Sequence, residues 1–209
     1  MDKLDFKKTD KAFYSGKKGR WNRLTIPPMQ FLMLDGKGDP GGPDYGNALA
    51  ALYPLAYGIK FAMKAKAADF VVPPLEALWW ADDMTAFVDG QRETWQWTVM
   101  IRMPDAVTKD DLADARQKLL VKLAKPPEIN GMNAKTVRLE GFEEGDSLQI
   151  LHIGPYADEA PVLAQLHNDL MPEMNLTFGG KHHEIYLGDP RRTAPEKLKT
   201  ILRQPVRPI

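Results

Sequence analysis

Two stretches of the chain repeat one pattern, and each sets a glutamate inside an apolar, aromatic strand. The first runs through residues 30–35, a glycine-rich turn and a helical stretch, then 75–80, which carries Glu76, and 97–102. The second runs through 148–153, a turn at Gly154 and Pro155 and a helix, then 183–187, which carries Glu184, and 198–203. A carboxylate among such neighbours is costly unless something pairs with it or uses it. The repeat predicts a shared ligand cleft that receives one glutamate from each half.

Alternation along a strand gives this expectation a geometry. His182, Glu184 and Tyr186 share one face, and Ile185 and Leu187 share the other, which suits a helix-covered core. In the first copy Glu76, Leu78 and Trp80 oppose Leu75, Ala77 and Trp79, with Trp95 and Trp97 on the adjacent strand. A pocket walled by tryptophan and tyrosine around a carboxylate suits flat, apolar, often cationic molecules, because the rings supply area and cation–π attraction. Burial of a carboxyl in general moves it toward general-base strength near neutral pH. The competing account is that Glu184 pairs with Lys181, Arg191 or Arg192.

The rest of the chain fills in an α+β order of strand, helix, strand, strand, taken twice, with helices on one side of a sheet and the other side free to line a groove. Asp44 is placed to cap the first helix, whose apolar positions run from Ala48 to Met63, and Pro54 is expected to kink or divide it. Tyr53, Tyr57 and Phe61 form a stripe beside that apolar face, read as core packing or, at its edge, as a pocket wall. Residues 82–93 join two strands. A connecting helix over about 108–124 begins at Thr108 and stops before Pro126 and Pro127. The units are therefore an arm, 1–29, and a single domain, 30–209, made of module one (30–104), the connecting helix and module two (136–209). The arm is basic, but Lys plus Arg and Asp plus Glu are both 28 in the whole chain, which favours a solvated arm lying along the domain over a nucleic-acid arm.

Absences narrow the chemistry. With no cysteine, disulfides, thiolate metal sites and cysteine nucleophiles are excluded. His182 and His183 are adjacent on a strand and point to opposite faces, so they do not form a metal pair. No apolar run is long enough to span a bilayer, and the first residues lack the core of a signal peptide, which suits a cytoplasmic protein.

With these residues in view, the chain resembles the GyrI-like small-molecule-binding family. The likeness runs through 3–8, 31–40, 52–57, 74–80 and 181–192, so it spans nearly the whole length. It implies two strand–helix–strand–strand modules about a pseudo-two-fold axis with ligand in the cleft between them. It also implies that Glu184 contacts the ligand, with Tyr57, Glu76, Trp79, Trp80, Trp97, His182 and Tyr186 as further binding residues. The branch most similar to this chain includes cyclopropanoid hydrolases, which detoxify DNA-alkylating natural products by adding water to a strained cyclopropane, with Glu184 as the matching catalytic residue. The alternative is a non-catalytic binder that sequesters lipophilic aromatic and cationic compounds, a multidrug-binding role. Neither reading calls for a cofactor, a metal, direct nucleic-acid binding or a membrane; a partner protein stays open.

Overall fold

Short apolar runs become strands, and the strands assemble side by side into one antiparallel sheet. The computed structural model describes residues 3–83, 90–123 and 131–209. Its strands are β1 (Asn22–Ile26), β2 (Met29–Lys37), β3 (Leu75–Trp80), β4 (Gln96–Met103), β5 (Arg138–Phe142), β6 (Gly145–Ile153), β7 (Leu176–Phe178), β8 (His182–Tyr186) and β9 (Lys199–Pro208). They lie in the order β1-β6-β9-β8-β3-β4-β2-β5, with β7 added against the end of β9. The two glutamate strands, β3 and β8, are thus central neighbours, and Ala77 lies opposite Glu184 in their register.

Helices cover one face. After a helical turn, α1 (Phe6–Thr9), the chain forms α2 (Pro43–Ala65), α3 (Lys109–Leu123), α4 (Gly131–Thr136) and α5 (Glu159–Gln165), the last continued by a π turn over Leu166–Leu170. Pro43 opens α2, where its fixed φ suits the first helical position, and Asp44 falls in the first turn rather than at the cap. The helix is not divided at Pro54. The packing explains why: Leu52, Leu55 and Ile59 are fully buried around the proline, and each such side chain contributes about 1.5–3 kcal/mol. Thr108 and Asp111 exchange hydrogen bonds at the start of α3, Asp111 N–H to Thr108 Oγ1 at 3.2 Å and Thr108 N–H to Asp111 Oδ2 at 2.9 Å. Leu32, Leu34, Ala77, Trp97, Val99 and Ile101 meet α2, α3 and α4 in one core. Leu148 and Val206 meet Leu166 and Met171 in another, on the same side of the sheet. Most of the connection over 82–93 and the expected stop at Pro126 and Pro127 lie outside the described residues. No helix among the described residues is long and apolar enough to cross a membrane.

The opposite face is not free. The N-terminal arm lies along it, and its lysines face solvent, but Phe6 and Tyr14 are buried there with Ile185 and Ile201. Gly16 passes so close to β6 that an added Cβ would stand 2.8 Å from the Leu151 nitrogen. Residues 22–26 then pair with β6 as a sheet strand. The expectation of a solvated arm missed the apolar residues between its lysines.

Candidate functional site

The pleat decides where each expected residue goes, and it separates the two glutamates. Glu76 pairs across with Ile185, and Ala77 pairs with Glu184, so the carboxylates point to opposite faces. The shared cleft with a glutamate from each half does not exist, because the two are offset by one residue in the β3–β8 register.

Glu76 instead belongs to a buried charge network beneath the arm. His183 Nδ1 lies 2.8 Å from Glu144 Oε1, and its Nε2 is in ion-pair contact with Glu76 Oε2 at 3.0 Å, without hydrogen-bond alignment. Arg203 donates to Glu144 Oε2 at 2.6 Å, to Gln149 Oε1 at 2.8 Å and to the Phe13 carbonyl at 2.7 Å. The Tyr14 hydroxyl donates to Glu76 Oε1 at 3.2 Å. Burial works against charge on His183, yet the carboxylates of Glu144 and Glu76 hold its pKa above the usual value. Burial likewise opposes ionisation of Glu144, but the His183 and Arg203 charges win and hold it at about 2. Two acids face two bases, and the network ties the arm to the sheet. Glu76 is structural.

Trp80 also lies on this face, beside an open groove of about 720 Å³ that includes Leu78, Arg138 and Lys181 in its lining. The Lys181 ammonium sits 3.1 Å from the Trp80 ring centroid. Asp35 and Glu140 in that groove are already paired with Arg138, and Glu144 with Arg203. The groove therefore offers less for chemistry than the other face.

On the helix-covered face, between α2 and α5, lies Glu184. His182 and Tyr186 flank it on β8, and Trp79 stands across on β3, opposite His182. This strand face is the one covered by helices, the reverse of the expected orientation, and Ile185 faces the arm. The Trp79 indole N–H donates to the Tyr186 hydroxyl at 3.1 Å. Tyr45 from α2 stacks on Trp79 with centroids 5.8 Å apart and meets Trp97 edge-on at 5.1 Å. Trp97 in turn lies over Gly36, where any Cβ would come within 2.0 Å of its ring. From the other side the Tyr156 ring meets Tyr186 edge-on at 5.7 Å. Tyr57 is 45% exposed on α2, and its ring contact is with Phe61 rather than this cluster.

No lysine or arginine among the described residues comes within ion-pair distance of Glu184, whose side chain is 15% exposed; its nearest charged-pair contact is His182 Nε2 at 3.5 Å. Lys181 lies over Trp80 and Arg191 pairs with Asp189, so neither neutralises it. Its charge reaches the groups around it. Burial, followed by the Glu184 charge, pushes the Tyr186 and Tyr45 hydroxyls up. Tyr156 is pushed up to about 12 by burial and by Glu159 and Glu184. Glu159, at the start of α5, is pushed up to about 9 by burial and by the Glu184 charge. Burial beside a second carboxyl therefore holds Glu159 toward its neutral form at neutral pH.

Tyr45, Tyr156 and Glu159 were absent from the sequence expectation. Helical spacing carried a signal for two of them: Tyr45 continues the α2 core positions Ala48, Leu52 and Leu55, and Glu159 shares a face with Leu163 and Leu166. An acid on the buried side of a helix marks a site as surely as one on a strand.

The profile of the GyrI-like small-molecule-binding domain matches residues 23–207. The chain belongs to this family. Among solved structures, this GyrI-like chain is similar to an uncharacterised conserved protein from Listeria innocua, at 42% identity and TM-score 0.86 over 98% of this chain and 100% of that one. A hydrolase from the same organism matches at 40% identity and TM-score 0.83 over 98% of this chain and 100% of that one. A second hydrolase structure from Listeria innocua matches at 40% identity and TM-score 0.84 over 99% and 100%. No curated protein matches.

Proposed function

We propose that this GyrI-like protein is a cofactor-independent hydrolase that takes flat aromatic xenobiotics into the Glu184 cleft and opens a strained cyclopropane by adding water. The observation that carries the reading is Glu184 itself, a largely buried carboxylate with no lysine or arginine among the described residues within ion-pair distance, on the same strand face as Tyr186 and Trp79. Such a group is placed to hold a water and take its proton. Hydrolases from Listeria innocua that share the fold at 40% identity support the same class of reaction.

In a cyclopropane conjugated to a dienone, opening the ring restores an aromatic phenol, so the chemistry needs little more than an aimed water and a dry site. Trp79, Tyr45, Tyr156 and Tyr186 supply walls that fix a planar substrate and exclude bulk solvent. The Trp79 N–H holds the Tyr186 hydroxyl in place, which fixes one wall relative to Glu184. His182 lies on the same strand face, its Nε2 3.5 Å from Glu184 Oε1.

The second reading is a binder that sequesters flat aromatic and cationic compounds without changing them; the aromatic walls and the family's small-molecule binding favour it equally. Incubation with a spirocyclopropyl cyclohexadienone separates the two, since a binder returns it intact. Glu184→Gln keeps size and hydrogen bonding but cannot accept a proton. It is expected to lower turnover by about 10²–10⁴-fold and to leave binding of a neutral planar ligand within about threefold. Unchanged turnover in that variant would move the base elsewhere.

A further inference from the structure

Opening the ring sends an electron pair to the dienone oxygen, and that oxygen needs a proton. Glu159 is suited to provide it. Its side chain is 5% exposed, and its Oε1 has no hydrogen-bond partner among the described residues. The Thr200 hydroxyl is buried beside it and is the one neighbour that favours its charged form, without aligning as a hydrogen bond, and burial and Glu184 outweigh it. No lysine, arginine or histidine among the described residues lies within ion-pair distance of Glu159, in contrast to Glu144, which has Arg203 and His183. The groups that face it are Glu184 and Tyr186 from β8, Thr200 from β9 and Tyr156 from the turn before α5. None carries positive charge. A carboxyl so placed avoids the cost of a buried, uncompensated charge by keeping its proton.

We infer that Glu159 is the acid that protonates the substrate oxygen as the ring opens, and that Glu159 and Glu184 carry one proton between them throughout the cycle. The inference rests on the hydrolase reading. In the step, Glu184 takes a proton from water as the water oxygen bonds to the cyclopropane methylene. The ring carbon–carbon bond breaks, and its electron pair passes through the dienone to the carbonyl oxygen, which takes the Glu159 proton and becomes a phenol. Glu184 is then protonated and Glu159 ionised, and transfer of one proton between them restores the starting state. The net change is the addition of one water. The charge of the pair stays the same, so the buried cleft never has to hold a second uncompensated negative charge. The site therefore selects substrates whose electron-accepting atom is a basic oxygen reached across the plane of the ring, rather than cyclopropanes without a conjugated carbonyl.

The experiment has two arms. In the first, ethidium, a permanent flat cation, is titrated into the protein as a function of pH, with neutral phenanthridine as the control. Wild type is expected to bind ethidium about tenfold tighter as pH rises through about 9, when Glu159 gives up its proton. Phenanthridine should show no such rise, and Glu159→Gln should flatten the ethidium profile. In the second arm, turnover of the spirocyclopropyl cyclohexadienone is expected to fall about 10²–10⁴-fold in Glu159→Gln and to recover in part in Glu159→Asp. Wild-type turnover in Glu159→Gln would overturn the donor role. An ethidium profile that is flat in wild type, or that rises equally in Glu159→Gln, would overturn the shared proton. A wild-type protein that leaves the dienone intact refutes the hydrolase reading and the donor step together, and the ethidium arm then still separates a protonated Glu159 from an ionised one.

Discussion

Glu144→Gln gives the sharpest test of the buried network, because its cost is fixed by pH. Glu144 is held at about 2 against a usual 4.5 by His183 and Arg203, in spite of its burial. A gap of that size is worth about 3 kcal/mol at neutral pH. The sign follows from a depressed carboxyl: the contribution is fully present above about 4.5 and is lost as pH falls through about 2. His183 runs the other way. Its pKa is raised, so its contribution is fully present below the ordinary histidine value and is lost as pH rises through the folded value. Glutamine cannot hold the His183 charge, so the variant should lose stability at pH 7 and shift its alkaline limb to lower pH. Urea unfolding followed by tryptophan fluorescence at pH 7, 5 and 3 measures this. The expected loss is about 3 kcal/mol at pH 7, shrinking steadily as pH approaches that of the protonated wild type. A loss that is the same at pH 3 and pH 7, or smaller than about 1 kcal/mol at pH 7, would refute the charge-pairing account.

Further outcomes follow from the two faces of the sheet. Trp79→Phe removes the N–H that holds Tyr186, so binding of a flat dye in the Glu184 cleft should weaken by about tenfold, while Trp80→Ala, on the other face, should leave it unchanged; fluorescence titration decides, and equal effects would contradict the assignment of faces. Gly36→Ala drives a methyl into the Trp97 ring and should lower stability by about 1–3 kcal/mol with a matching fall in Tm, whereas an unchanged Tm would mean that the ring moves without cost. Gly16→Ala forces the arm away from β6 and should raise protease sensitivity within residues 3–21 before the sheet unfolds; cleavage at the wild-type rate would show that the arm accommodates it.

Most strands of the central sheet were legible because each is a short apolar run, and Leu75–Trp80 begins where expected and stops one residue short of the connection over 82–93, but Asn22–Ile26 was read as part of the arm. The pairing of faces was not. Alternation tells which residues share a side, but the neighbouring strand decides which side is covered, and a one-residue offset between Glu76 and Glu184 turned an expected pair into two unrelated roles. Glu76 drew attention for a sound reason, a carboxylate in an apolar strand, and its partners came from afar: Tyr14 in the arm, His183 on β8. Glu144 and Arg203 carry no local pattern that joins them, since their contact depends on register across the sheet. Glu159 was readable from helical spacing, and looking for glutamates on strands alone passed over it. Pro54 shows the reverse, where a residue that can divide a helix lies inside a continuous one held by tertiary packing.

The central claim is that Glu184 activates a water in an aromatic cleft. Incubating wild type and Glu184→Gln with a spirocyclopropyl cyclohexadienone in water enriched in oxygen-18, and weighing the product by mass spectrometry, addresses it directly. The account predicts a ring-opened phenol carrying one labelled oxygen in its new alcohol, formed by wild type and slowed by about 10²–10⁴-fold in the variant. Recovery of intact dienone from wild type, or equal labelling by both proteins, would contradict it.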